Sequence, residues 1–224
     1  TVKAFGAEEI ARYAAPGGRI MHAQVKIGDT TLEMGEPDQP EPATLHIFVP
    51  DTEATYQQAL RAGARSLVKP TDSYFDQRLA CVWDPSGNMW LIGTQKTGGY
   101  VPEGLGTVTP YLHPRGTPAL IEFLKQAFDA EELMRMEHGG AIRHARVKIG
   151  DSVLEMSEIQ SEHQPMAAAF HLFVPDTDAV YRKAIEAGGS SLGEPQDRPY
   201  GERSGFVKDP FGYTWYIATR IASE

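Results

Sequence analysis

The chain repeats itself, and a duplication at this scale decides domain count before any residue-level reading. "FGAEEIARY" from Phe5 returns as "FDAEELMRM" from Phe128, and "HAQVKIGDTTLEM" from His22 returns as "HARVKIGDSVLEM" from His144. "LHIFVPDTEATYQQALRAGA" from Leu45 matches "FHLFVPDTDAVYRKAIEAGG" from Phe170, and "DPSGNMWLIGT" from Asp84 matches "DPFGYTWYIAT" from Asp209. Order and spacing are kept throughout, so two tandem copies of one domain are expected: residues 1–97 and residues 105–224, joined by a linker over 98–104. That linker sits inside "QKTGGYVPEGLG" (Gln95 to Gly106), whose glycines and Pro102 favour an exposed connector. The copies are unequal at their starts. The second opens with "TVTPYLHPRGTPALIEFLKQAF" (Thr107 to Phe128), the first with only "TVKAF" before the matching point. The first copy is therefore expected to lack an opening strand and most of a helix, either because a leader is absent from the sequence or because a segment from elsewhere completes it.

Within the second copy, Val108 to His113 reads as a strand and Thr117 to Phe128 as a helix, with Thr117 as cap, Pro118 in the first turn and apolar residues at near-helical spacing. Strands follow at Glu131–Glu137, Ala141–Ile149 and Ser152–Ser157, the last two joined by a tight turn at Gly150-Asp151. The plan then recurs: strand Ala168–Val174, helix Asp178–Ala187, and strands near Ser190, over Arg203–Lys208 and over Tyr213–Thr219. Each copy is thus two βαβββ units, an α+β fold. Strand alternation puts Phe170, Leu172 and Val174 on one face and His171 and Phe173 on the other. It also separates Leu154 and Met156 from Glu155, and Ala145 and Val147 from His144 and Arg146. One face is apolar and receives the helices. The other mixes acids, histidines and aromatics, as a wet, ligand-accepting concavity would.

A formal charge of -9 argues against a nucleic-acid partner, since phosphate binding depends on clustered Lys and Arg. No apolar run is long enough to span a bilayer, so no membrane role is expected. The single cysteine, Cys81, lies in the strand-like "LACVW" and cannot form an internal disulfide, which fits a cytoplasmic location.

On the helix plus "DPFGYTWYI" ending, present twice in register with "VPDTD", the chain resembles the glyoxalase/bleomycin-resistance/extradiol-dioxygenase family, also called vicinal oxygen chelate proteins. The resemblance covers nearly the whole chain apart from the linker. It implies tandem βαβββ units folded into curved, cup-shaped mixed sheets with helices on the convex face and a metal or ligand on the concave side. Members that use a divalent metal place His or Glu on the first and fourth strands of each unit. Those places fall on Thr109, Glu155, Ala169 (just before His171) and Tyr216 in the second copy, and on Glu33, Thr44 and Leu91 in the first. Only Glu155 and Glu33 are typical donors, so no metal is assigned, although the family permits a divalent one.

The expected function is binding of a small hydrophobic or aromatic ligand on the concave face, with Tyr111, Phe173 and Tyr216 stacking on it. Glu155, His171, Arg203, Glu33 and His46 are the further ligand-binding candidates, and the catalytic residues are unassigned. The alternative is a metal-dependent lyase, isomerase or dioxygenase of the same superfamily. Plainer readings stand beside each: a sheet histidine for His171 and His46, a solvent-facing carboxylate for Glu155 and Glu33, a solvated strand face for His144 and His22, and a rim salt bridge for Arg203. Trp90 and Trp215 fall on the helix side and are read as core. The assembly is expected to be a monomer with pseudo-dimeric domain packing or a homodimer.

Overall fold

The computed structural model describes residues 2–36, 42–73, 75–159 and 166–221. The chain divides into two compact units, Thr1–Tyr111 and Leu112–Glu224.

The first unit begins with a one-turn helix α1 (Val2–Phe5), followed by β1 (Glu8–Ala14), β2 (Ile20–Ile27) and β3 (Thr30–Met34), which form an antiparallel meander. A second set follows: β4 (Thr44–Phe48), α2 (Thr52–Arg61), β5 (Arg65–Asp72), β6 (Gln77–Trp83) and β7 (Met89–Gln95). Here β4 runs parallel to β7, and β7, β6 and β5 are antiparallel neighbours. The strand β8 (Val108–Leu112) then pairs antiparallel with β4, matching Leu45 to Pro110, His46 to Thr109 and Ile47 to Val108. This strand, which the repeat assigns to the opening of the second copy, is grouped with the first unit as far as Tyr111. Asp29, in the turn before β3, and Thr30, the first residue of β3, secure its start: Thr107 N donates to Asp29 Oδ1 (2.7 Å) and Val108 N to Thr30 Oγ1 (3.1 Å).

The second unit continues with α3 (Thr117–Phe128), β9 (Glu131–His138), β10 (Ala141–Ile149) and β11 (Ser152–Met156). The predicted two-residue turn is present: Ile149 faces Ser152, and Gly150 takes φ 59°, a conformation open to glycine at no steric cost. The last set is β12 (Ala169–Phe173), α4 (Thr177–Glu186), β13 (Ser190–Arg198), β14 (Glu202–Lys208) and β15 (Thr214–Arg220), forming a four-stranded mixed sheet in the order β12-β15-β14-β13. The architecture is α+β, tandem βαβββ units with curved sheets, as the sequence predicts.

The repeated motifs explain themselves at the atomic level. In "VPDT", Asp176 caps α4 by accepting from Ala179 N (3.0 Å), while the Thr177 hydroxyl reaches Arg203 O (2.9 Å) and Thr219 Oγ1 (2.8 Å), tying the helix start to β14 and β15. Asp51 and Thr52 make the same bonds to Ala54 N, Arg78 O and Thr94 Oγ1. In "DPxG", Asp209 accepts from the amides of Phe211 and Tyr213 (both 2.9 Å) and from Trp215 Nε1 (3.0 Å). That clasp lets a tryptophan bury its indole with the N–H satisfied. Asp84 holds Trp90 identically. Both tryptophans are core, as expected: Trp215 packs on Phe170 and Phe128 (centroids 4.5 Å each), Trp90 on Phe5 (4.5 Å).

One cap differs from expectation. Thr117 does not cap α3; it is the first helical residue, and the N-cap is Gly116 at φ 89°, without a side-chain bond of its own. A glycine offers no side-chain acceptor, and the carboxylate of Glu158 does the task from outside, accepting from Gly116 N and Thr117 N at 2.7 Å each.

Candidate ligand-binding site

The four-stranded sheet of the second unit has α4 on one side only. The register pairs His171 with Tyr216 and Tyr216 with Phe206, so alternation gathers Ala169, His171, Phe173, Tyr216 and Phe206 on the helix-free face. Phe173 is 50% exposed and Tyr216 41%. Their partners across the sheet, Phe170 and Trp215, point the other way into the core. The exposed rings are ordered rather than scattered: His171 stacks on Phe173 (4.4 Å, 26°), and Phe206 meets Tyr216 edge-on (5.1 Å, 69°). Two guanidiniums rim the face, Arg220 5.3 Å from the Phe173 ring and Arg198 4.8 Å from that of Phe206. Glu202 Oε2 lies 3.4 Å from His171 Nε2.

His171, Phe173 and Tyr216 are thus brought together. Arg203 is not with them. It turns to the helix side, where Nη2 donates to Asp178 Oδ1 (2.8 Å) and Nη1 to Asp197 Oδ1 (2.9 Å). The guanidinium holds the Asp178 carboxyl below its ordinary pKa, and the two carboxylates hold Arg203 above its own. Phe206, Glu202, Arg198 and Arg220 complete the face and were missed from sequence. Continuing the period of two along β14 from Phe206 would have found Glu202, had the strand been started one residue earlier.

Glu155 lies in another sheet, on β11 beside β10. Both it and His144 are buried (0% and 4% exposed), which corrects the solvent-facing reading of each. The cause is charge compensation: Glu155 Oε1 accepts from Arg146 Nε (3.1 Å), has Nη2 of the same guanidinium at 3.1 Å, and lies 3.2 Å from His144 Nε2. In the first unit the matching Glu33 is exposed and accepts from Gln24 Nε2 (2.8 Å). His46 is buried against Phe48 (4.1 Å), with the Tyr111 ring 6.4 Å away and Thr109 opposite it. Tyr111 therefore accompanies His46, and neither shares a sheet with Glu33.

A divalent metal does not fit this donor set. Glu155 Oε1 already faces a guanidinium, and among the described residues no three His, Cys, Asp or Glu side chains converge. Two open hollows, about 260 Å³ beside Tyr181 and Pro195 and about 510 Å³ beside Asp29 and Tyr100, are lined by none of the aromatic-face residues and by no histidine. No helix of the described residues is long and apolar enough to cross a membrane.

Tandem βαβββ units with mixed sheets, helices on one face and polar and aromatic groups on the other define the class of fold, which by itself does not set the chemistry. The chain belongs to the Glyoxalase/Bleomycin resistance protein/Dioxygenase superfamily, whose family model matches residues 2–92 and 115–217. It is 33% identical over 107 residues to uncharacterized proteins of Mycobacterium bovis and Mycobacterium tuberculosis, a match spanning 41% of this chain and 70% and 62% of those proteins. The fold is also that of glyoxalase I from Zea mays, with a TM-score of 0.79 over 97% of this chain and 85% of that one at 16% identity.

Proposed function

We propose that the protein binds a flat aromatic ligand carrying oxygen acceptors on the helix-free face of β12–β15. One observation carries this: Phe173 and Tyr216, both about half exposed, stand on one face with His171 and Phe206 between two arginines. Solvent-exposed rings in such a cluster are a liability unless a partner covers them. Aromatic stacking supplies affinity, and Arg198, Arg220 and the His171 imidazole, positioned by Glu202, supply hydrogen bonds and positive charge for the acceptors.

A fluorescence titration with 1-anilinonaphthalene-8-sulfonate, a flat anionic aromatic probe, tests it. Tyr216→Ala and Phe173→Ala should each weaken binding about tenfold, a loss of ~1.4 kcal/mol. Arg203→Ala, altered on the opposite side, should not. Equal affinity in all four proteins would refute the site.

The rival reading, a metal-dependent lyase, isomerase or dioxygenase, draws on the 3.2 Å approach of His144 to Glu155. The guanidinium of Arg146 on the same oxygen weighs against a cation there. Elemental analysis after incubation with zinc, nickel, manganese and iron separates the two: a stoichiometric metal that Glu155→Gln abolishes would put the enzyme reading first.

A further inference from the structure

We infer that the ligand of the aromatic face is an aryl monocarboxylate, with Arg198 and Arg220 the residues that read its charge. This rests on the ring site proposed above and names the class of molecule that fits it. The strand β14 lies between β13 and β15, and the register sets Arg198, Glu202 and Arg220 in one row across the three. A carboxylate between two arginines is ordinarily shared by them. Here it is not: Glu202 Oε2 lies 3.4 Å from His171 Nε2, and among the described residues neither Arg198 nor Arg220 forms an ion pair. The adjacent Arg203, by contrast, is paired with Asp178 and Asp197. Arg198 and Arg220 rest on rings instead, Cζ 4.8 Å from the Phe206 centroid and 5.3 Å from that of Phe173, and Arg198 Nε also donates to Ser204 Oγ (3.2 Å). A ring attracts a cation without neutralising it, so both charges stay available to an anion.

The first unit shows that the fold itself does not ask for this row. The residues matching Arg198, Glu202 and Arg220 are Ser73, Gln77 and Gln95, with Gln77 opposite Gln95 and Ser73 N donating to Gln77 O. Where Phe206 and Tyr216 stand, the first unit has Cys81 and Leu91, again opposite one another. The clasps that the fold does need, Asp51 and Asp176 at the starts of α2 and α4, recur in both units. Rings and unpaired charges therefore arrive together in one unit and are missing together from the other, as a ligand with an aromatic body and an anionic end requires.

The charge pattern narrows the anion. Two cations favour a negative group, while Glu202 in the middle of the row repels a second negative charge, so a monoanion is preferred to a dianion. A guanidinium fork meets the two oxygens of a planar carboxylate with parallel N–H···O bonds. The half-exposed Phe173 and Tyr216 beside the row take the flat body.

Isothermal titration of the full chain with 2-naphthoate and with 2-naphthamide, which keeps the flat ring and loses the charge, is the test. The parent should bind the carboxylate about tenfold more tightly, the scale of a charge-assisted hydrogen bond. Added salt should shrink that preference, since the guanidiniums are open to water. Arg198→Gln and Arg220→Gln should each reduce it several-fold with little change in the affinity for the amide, and Arg203→Gln, on the helix side, should leave it as it is. Equal affinity for the two probes, or a preference kept in both rim variants, would overturn the carboxylate assignment and leave the ring site standing. Binding of neither probe would overturn it as well; whether the ring site falls with it is read from the fluorescence titration of Tyr216→Ala, which needs no carboxylate.

Discussion

Arg146 places Nε and Nη2 each 3.1 Å from the same oxygen of Glu155, in a position where the carboxylate has no exposed surface. Burying that carboxylate is tolerable only with the guanidinium in place, because an uncompensated charge in such surroundings costs several kcal/mol. Arg146→Met should therefore destabilise the fold by about 3–5 kcal/mol. Arg143→Met, on the same strand but with an exposed side chain whose Nε reaches His138 O at 3.3 Å, should cost less than about 1 kcal/mol. Urea unfolding of both variants checks this, and an Arg146 variant as stable as the Arg143 one would refute the compensation.

Glu158 ties α3 to the end of β11, and its titration has a sign. Burial pushes the carboxyl pKa up; the bonds from Gly116 and Thr117 outweigh it, so the group sits below the ordinary glutamate value of 4.5. A folded-state pKa lowered in this way contributes stability that is present above the ordinary value and lost as pH falls through and below it. Glu158→Gln should cost about 1 kcal/mol at pH 7, the usual worth of a helix cap, and lose less stability than the parent on acidification from pH 5 to pH 3. Guanidinium unfolding across that range reports both; parallel pH dependence in the two proteins would contradict it.

Cys81 stands inside β6 with its thiol pushed up to about 11 by burial. Since the thiolate is the reactive form, modification by a disulfide reagent at pH 8 should be at least tenfold slower in the folded protein than in urea. Equal rates would show that β6 opens readily.

Much of this fold was legible because its signals are local. The apolar period of α3 gives Thr117–Phe128 as both ends of the helix, and Gly150-Asp151 marks a two-residue turn between strands that alternate cleanly. The duplicated "VPDT" and "DPxG" motifs proved to be hydrogen-bonded clasps. What was hidden depends on partners distant in sequence. Glu158 reaches α3 across more than 40 residues, Arg146 makes a buried charge out of what alternation alone leaves as a wet strand face, and Arg203, on the helix side by alternation, meets Asp178 and Asp197 rather than any other carboxylate. No spacing rule reveals which of several carboxylates a guanidinium will meet.

The two histidines at matched positions, His46 and His171, show how one methyl group distinguishes the copies. Gly93 lies beside β4 in register with Phe48, and a Cβ there would fall 2.7 Å from His46 Nε2 and 3.6 Å from Phe48 Cδ1. The matching residue in the second unit is Ala218, in register with Phe173, and it is tolerated where His171 and Phe173 lie at the surface rather than in a buried layer. Gly93→Ala should accordingly push the His46 ring out of place and cost about 1–3 kcal/mol, the usual penalty for overpacking a filled interior. Ala218→Gly removes only a methyl and some backbone restriction, so its cost should stay within about 1 kcal/mol. Urea unfolding gives the two stabilities, and the imidazole proton resonances of His46 should shift in the first variant alone. A Gly93→Ala protein with parental stability and an unmoved His46 resonance would mean that the buried layer around this histidine has room to spare.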